Sequence, residues 1–281
     1  MQILKDAKEF QKHCLKLRAQ GRRLALVPTM GAHHAGHQSL MRAARDSGAR
    51  VLVSLFVNPA QFEPNEDLAA YPRNPDSDAE SAAAAGADLL FMPAPQSMYA
   101  ADHATWVETP ALARTLCGLS RPQHFRGVCT VVLKLLLLSQ AQLAFFGEKD
   151  WQQLVIIRRM VRDLNVPAAI RGCPTVREAD GLAMSSRNAY LTPEERAQAP
   201  QIQAGLQQAR ELARRGERSA KILCAAVLEY WDRHLPLGRA EYLELVHPHS
   251  LEAVDVLGAS ALMACAVRLG KARLIDNTLL P

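Results

Sequence analysis

The sequence predicts an α/β protein: a Rossmann-like, doubly wound, mostly parallel sheet followed by a smaller C-terminal α/β or α+β domain. Three observations predict it. Short apolar runs alternate with longer amphipathic ones over the first two thirds of the chain, the apolar runs stop at Pro, Gly or Asn-Pro, and Thr192-Pro193 opens a more charged, helical final third.

Residues 24–27 form an apolar strand expected to end near Pro28, which cannot extend a central ladder, and Gly31 lets the backbone turn. Beyond Gly36, Leu40, Met41 and Ala44 recur at helical spacing, so a helix starts there. Residues 51–57 are a second strand ending at Asn58-Pro59, residues 76–85 a helix closed by Gly86, and residues 88–93 a third strand. The order is βαβαβ. Residues 128–139 then read as a buried helix whose run VVLKLLLL, with Lys134 in its middle, is too short to span a bilayer. Residues 143–146 follow as a strand, 151–164 as an amphipathic helix and 168–176 as a further strand. Thr192 caps a helix with Pro193 at its first position. Residues 220–234 are another helix, and residues 241–246 and 261–269 are strands. The expected division is 1–176 as the Rossmann-like domain, 177–191 as a joint loop and 192–281 as a C-terminal lid. No G-x-G-x-x-G follows the first strand, so the ordinary dinucleotide version is excluded.

With 281 residues, 49% hydrophobic and 22% charged, the chain is long and apolar enough for a soluble protein with a real core. Charges throughout the first fourteen residues argue against a signal peptide. Six scattered cysteines without a C-x-x-C pair argue against a zinc knuckle or a redox dithiol and fit a reducing cytoplasm. A net charge of +5 and a pI near 9.0 raise nucleic-acid binding as a rival. However, Arg158, Arg159 and Arg162, like Arg210, Arg214 and Arg215, lie at helix-face spacing among apolar rather than aromatic residues, as solvated helix surface does. A modest positive balance serves a small anionic substrate equally well.

The chemistry concentrates in four segments. In LALVPTMGAHHAGHQSL, residues 24–40, a strand gives way to a helix start carrying His34 and His37, so an anion there would meet a helix N-terminus and two imidazoles. A solvated pair, or a metal site that adds His33, stays open, although no Cys, Asp or Glu lies within residues 21–45 to complete one. FVNPAQF, residues 56–62, places Asn58 and Gln61 beside two aromatic rings, suiting a hydroxy acid or a plain Asn-Pro turn. FFGEKDWQQL, residues 145–154, repeats strand, glycine and helix with Lys149 at the turn as a phosphate charge and Gln153 in the first helical turn, or is an ordinary charged loop. READGLAMSSRN, residues 177–188, combines small hydroxyls with a guanidinium, as a triphosphate clamp does.

Together with RPQHFRGV, these motifs in this order and at these intervals resemble the bacterial pantoate–β-alanine ligase (pantothenate synthetase) family, within the wider His-x-Gly-His nucleotidylyltransferase superfamily. The resemblance runs from about residue 24 to 196. It implies condensation of (R)-pantoate with β-alanine, ATP as co-substrate, Mg2+ held mainly through the nucleotide phosphates, and a cytoplasmic homodimer that binds neither nucleic acid nor membrane. By motif position, Met30, Gly31, Ala32, His33, His34, Ala35, Gly36 and His37 match the ATP-binding segment, with His34 and His37 at the phosphates and His37 where a proton donor is usually assigned. Gln61 and Gln153 match the pantoate-binding glutamines, Gln61 also lying near β-alanine. Gly147, Glu148, Lys149, Asp150, Val176, Met184, Ser185, Ser186 and Arg187 match the remaining nucleotide contacts, and Lys149, Ser185, Ser186 and Arg187 point toward the phosphates. The catalytic set implied is His37, His34 and Lys149, with no direct metal ligand.

Where the family usually reads MGALHEGHLSL, this chain has His33 and Gln38 for leucines and Ala35 for glutamate, and Trp151 stands where Phe or Tyr is common. Losing the acid and gaining a possible positive charge at His33 is expected to leave triphosphate binding electrostatically unweakened. The rivals are a His-x-Gly-His adenylyl or cytidylyl transferase that makes no amide, and a basic nucleic-acid-binding module, which leaves Gln61, Lys149 and the SSRN loop unexplained.

Overall fold

The computed structural model describes residues 1–281 apart from Asn65 and Asp67 and separates into two compact units. The first comprises residues 1–113, 121–148 and 153–174; the second comprises residues 114–120, 149–152 and 175–281. The strands are β1 (Gln2–Leu4), β2 (Leu24–Thr29), β3 (Arg50–Leu55), β4 (Leu89–Phe91), β5 (Leu143–Gly147), β6 (Ala169–Cys173), β7 (Gly238–Val246), β8 (Ala261–Leu269) and β9 (Ala272–Leu280). The helices are α1 (Ala7–Ala19), α2 (Ala35–Asp46), α3 (Pro75–Ala84), α4 (Pro95–Met98), α5 (Pro110–Ala113), α6 (Cys117–Ser120), α7 (His124–Ser139), α8 (Trp151–Asp163), α9 (Pro193–Gln198), α10 (Gln201–Arg214) and α11 (Ala220–His234).

The sheet of the first unit is parallel throughout, in the order β1-β4-β3-β2-β5-β6. The chain winds outward from β2 to β4, then returns to start again at β5 beside β2. The switch point therefore lies beyond the C-terminal ends of β2 and β5, the ligand end of a doubly wound sheet. On one face α2 buries Leu40, Met41 and Ala44, and α3 buries Ala82, against Val27, Val51, Val53 and Leu90. Each large side chain so buried contributes about 1.5–3 kcal/mol, which fixes the start of α2 over the tip of β2.

The first strand runs one turn of the pleat further than the sequence suggested, because Pro28 sits inside β2 opposite Ser54. The Leu24 carbonyl accepts from Gln142 N toward β5 and the Thr29 carbonyl accepts from Phe56 N toward β3, so even-numbered residues face β5. Pairing with β5 reaches only Leu26, and the missing N–H of Pro28 falls beyond that ladder. The short edge strand β1 was not foreseen. Helix α7 begins at His124 rather than at residue 128, since Gly127 is helical and serves close packing.

In the second unit, α10 and α11 bury Leu206, Ala209, Leu223, Val227 and Trp231 against Met263, Cys265, Val267 and Leu274 of an antiparallel sheet ordered β7-β8-β9. Of the two C-terminal possibilities the sequence left, α+β is the one formed. Strand β9 escaped the pattern because its buried face carries Asp276 and its partly buried face Arg273 and Asn277; the two-residue link Gly270-Lys271 was its signal.

Candidate active site

The turn after β2 is held from behind by α3. Gly31 and Ala32 have positive φ (91° and 51°), and the Asp78 carboxylate accepts from Ala32 N at 3.0 Å and His33 N at 2.7 Å. A Cβ at Gly31 would meet Asp78 Oδ2 and Leu55 Cδ1, each at 2.8 Å, so glycine is required by space as well as by φ. The His33 ring is fully buried, with Nδ1 3.1 Å from the Asp78 carbonyl and Nε2 2.9 Å from the Thr29 hydroxyl. Burial lowers the His33 pKa despite the nearby Asp78 carboxylate, so the ring is neutral near pH 7. The positive charge expected at this position is therefore not supplied: His33 faces the interior.

His34 caps α2. Its Nδ1 accepts from Gly36 N at 3.1 Å, and His37 Nδ1 in turn accepts from His34 N at 3.4 Å, with the two rings 4.2 Å apart. A ring nitrogen that accepts a backbone N–H carries no proton, which puts the proton of each neutral imidazole on Nε2. The backbone N–H groups of Ala32, His33, His34 and Gly36 thus all point to protein acceptors. Ala35, in place of the family glutamate, is exposed, while Gln38 bonds Ser81 of α3 at 3.0 Å.

Next to this turn lies a buried amide shelf. Gln61 is 7% exposed; its Oε1 accepts from Asn58 Nδ2 at 2.9 Å and its Nε2 lies 3.3 Å from Met30 Sδ. Asn58 also reaches the Gly127 carbonyl at 3.1 Å. The Gln61 carbonyl accepts from His124 Nδ1 at 2.8 Å and Arg121 Nη2 at 3.2 Å, and Arg121 pairs with Glu66 through both carboxylate oxygens. Gly127 makes this approach possible, because a Cβ there would lie 2.2 Å from the Ala60 carbonyl oxygen. Arg121, His124 and Gly127 give RPQHFRGV its structural meaning, yet sequence reasoning assigned none of them a role. It also missed Asp78, whose signal was a carboxylate in the first turns of a helix following a polar loop.

Also in the first unit, Gly147 has open space where a Cβ would stand, Glu148 lies over Gly172, and Gln153 is half-buried on α8. The other expected residues belong to the second unit. The Lys149 carbonyl accepts from Asn277 Nδ2 at 2.9 Å, Asp150 is exposed, and the Trp151 indole N–H donates to the Pro248 carbonyl at 2.8 Å, a bond phenylalanine could not make. Val176 and Met184 are joined by a backbone bond of 3.0 Å. Met184, Ser185, Ser186 and Arg187 sit at the end of a loop braced by two ion-pair sets: Arg177 grips buried Asp276 at 2.7 and 2.9 Å, while Arg196 reaches Glu178 and Asp180, both at 2.6 Å. Glu178 passes this on to Asn188 Nδ2 at 2.8 Å. The Arg196 guanidinium holds the Asp180 carboxyl below its usual pKa.

Among the described residues, no three His, Cys, Asp or Glu side chains gather as metal ligands. At the β2–α2 turn and the amide shelf the side-chain donors are imidazoles and amides, and the carboxylate at the turn, Asp78, is taken up by the Ala32 and His33 N–H groups, a poor set for magnesium, which prefers carboxylate, phosphate and water oxygens.

Comparison with known proteins agrees with these motifs. The model of the pantoate-beta-alanine ligase family matches residues 2–279. A pantothenate synthetase of Desulfovibrio desulfuricans is 62% identical, the match covering 100% of this chain and 99% of the relative, and one of Oleidesulfovibrio alaskensis is 60% identical, with 99% of each covered. The crystal structure of pantothenate synthetase from Thermus thermophilus superposes with a TM-score of 0.93 at 44% identity, covering 99% of both chains. That of the pantoate-beta-alanine ligase from Francisella tularensis, complexed with beta-gamma ATP and beta-alanine, gives 0.81 at 33% identity over 99% of this chain and 97% of that one. With its His34/His37 helix start and Gln61 shelf on a doubly wound sheet, the chain belongs to the pantoate–β-alanine ligase family.

Proposed function

We propose that His34 and His37 stabilise the transferring phosphate in an adenylation step, and that Gln61 and Gln153 hold the acid that attacks it. The enzyme is an ATP-dependent ligase that joins (R)-pantoate and β-alanine into pantothenate, with AMP and pyrophosphate as the other products. In the first half-reaction a pantoate carboxylate oxygen attacks the α-phosphorus, the bond to the bridging oxygen breaks, and pyrophosphate leaves. In the second, the β-alanine amine attacks the acyl carbon of pantoyl adenylate and expels AMP.

The observation that carries the residue assignment is the reciprocal cap in which both Nδ1 atoms accept backbone N–H groups. With their protons on Nε2, the imidazoles act as neutral hydrogen-bond donors, preorganised for charge that develops on phosphate oxygens. One such donor is worth roughly 2.7–4 kcal/mol in a transition state. A second proton would set a donor against the capped N–H, so donation without proton transfer is the role proposed for His37. Lys149, Ser185, Ser186 and Arg187 supply further phosphate contacts by their match to the family motif, and Met30, Gly147, Val176 and Met184 line the nucleotide. Magnesium enters with ATP, neutralising the polyphosphate and held by its oxygens rather than by a protein cage. Holding acid and nucleotide together supplies up to about 7–11 kcal/mol of the barrier in favourable cases.

The homodimer and the cytoplasmic location form part of the same proposal. No helix among the described residues is long and apolar enough to cross a membrane, and all six cysteines are free thiols. Turnover with and without the amine tests the function. With pantoate and ATP alone the enzyme should release about one equivalent of pyrophosphate and then slow, and β-alanine should restore steady turnover with one AMP per amide. Steady pyrophosphate release unaffected by β-alanine would indicate a nucleotidylyltransferase instead.

A further inference from the structure

The two positions at which this chain replaces family leucines with polar residues, His33 and Gln38, both reach helix α3. His33 meets Asp78 through its backbone N–H at 2.7 Å and its ring at 3.1 Å, and Gln38 meets Ser81, one turn along, at 3.0 Å. Asp78 is 3% exposed, and its two carboxylate oxygens are divided between the amides of Ala32 and His33. Those amides immediately precede His34, in a turn that needs two successive residues at positive φ. A non-glycine residue such as Ala32 persists there only when its surroundings hold it.

We propose that Asp78 is a positioning residue for the two imidazoles: it clamps the turn so that His34 caps α2 and aims both Nε2 atoms, while His33 and Gln38 lock α3 in place to provide the clamp. This rests on the adenylating role assigned above to His34 and His37. The carboxylate touches no reacting atom. Its effect passes through two backbone N–H groups, and its negative charge is offset by the amides it accepts from. Asparagine is nearly isosteric but offers one acceptor oxygen, so its NH2 group would face one of the two amide donors and release the turn on that side.

The test compares wild type with Asp78→Asn in pantoate-dependent ATP–pyrophosphate exchange. Folding is checked by circular dichroism, and the tautomers of His34 and His37 by 15N NMR. The expected result is a folded variant with kcat lowered about 100-fold, the loss that a misplacement of about 1 Å can cause. The KM for pantoate stays within about twofold, because the Gln61 shelf is braced from α7 rather than from α3, and the Nδ1 shifts of His34 and His37 move away from those of hydrogen-bonded acceptors. A folded variant with kcat and histidine shifts close to wild type would overturn the proposal. If Asp78→Asn does not fold, hydrogen exchange of the wild-type amides decides: Ala32 and His33 protected like the interior of β2 support the clamp, and exchange at the rate of an open loop refutes it. Absence of exchange activity in the wild type would instead strike at the adenylating role, leaving the amide and imidazole readouts to judge the clamp by themselves.

Discussion

Adding one methyl group at Gly127 separates the amide shelf from the rest of the site. The new Cβ would lie 2.2 Å from the Ala60 carbonyl oxygen, 2.4 Å from its carbon and 2.7 Å from Gln61 N. All three are backbone atoms of the turn that carries Gln61, so no side chain can swing aside. To reach ordinary contact at about 3.4 Å, the oxygen must retreat by roughly 1.2 Å. Overpacking of this kind costs about 1–3 kcal/mol in stability. The larger consequence is for the substrate acid, because a displacement near 1 Å in a positioning group can lower the rate about 100-fold. Gly127→Ala is therefore expected to fold with a reduced melting temperature and to lose about 100-fold in kcat/KM for pantoate while the KM for ATP changes little. Initial rates of pantoate-dependent pyrophosphate exchange at varied pantoate and ATP give both constants. If the variant matched wild type within twofold for pantoate, the packing of α7 on the Gln61 turn would not be what holds the acid.

Three other expectations follow from the same geometry. His37→Ala should lower adenylation about 100- to 1,000-fold, the scale of one lost transition-state donor, whereas His37→Gln, which still donates, should stay within about tenfold of wild type; equal losses in both would restore proton transfer as its role. Asn58→Ala should strand the Gln61 Oε1, while the Gly127 carbonyl keeps its place in the α7 ladder, costing about 1–3 kcal/mol for the one buried acceptor and raising the pantoate KM; unchanged urea midpoint and KM would contradict this. Burial depresses the His33 pKa, so below the ordinary value of 6.5 the unfolded chain binds more protons than the folded one and stability falls with acid. Urea midpoints measured from pH 7.5 to 5 should show a shallower loss in His33→Leu, and parallel pH slopes would refute the neutral buried ring.

How much of this was legible in the sequence depended on whether a signal is local. The run from Leu24 through the helix start at His37 carries its own strand, glycine turn and amphipathic pattern, so both element types and both histidines were readable. Pro28 misled because its tolerance depends on where the β2–β5 ladder stops, a fact of the neighbouring strand. The role of His33 was hidden for the same reason: its charge and direction are decided by Asp78, which lies on another helix and reaches the turn only when α3 packs against the sheet. The helix was expected to start at residue 128, and only the approach of the Ala60 carbonyl shows why a helical glycine stands at 127. In the C-terminal unit β9 was lost because Asp276, paired with Arg177, interrupts an otherwise strand-like run.

The most direct test of the central claim is exchange of labelled pyrophosphate into ATP, measured without β-alanine. The geometry of His34, His37 and Gln61 on one doubly wound sheet predicts exchange that requires pantoate, saturates with it, and is lost in the His34→Ala and His37→Ala variants. Folded, active-concentration enzyme that exchanges pyrophosphate equally well without pantoate, or not at all with it, would contradict the account.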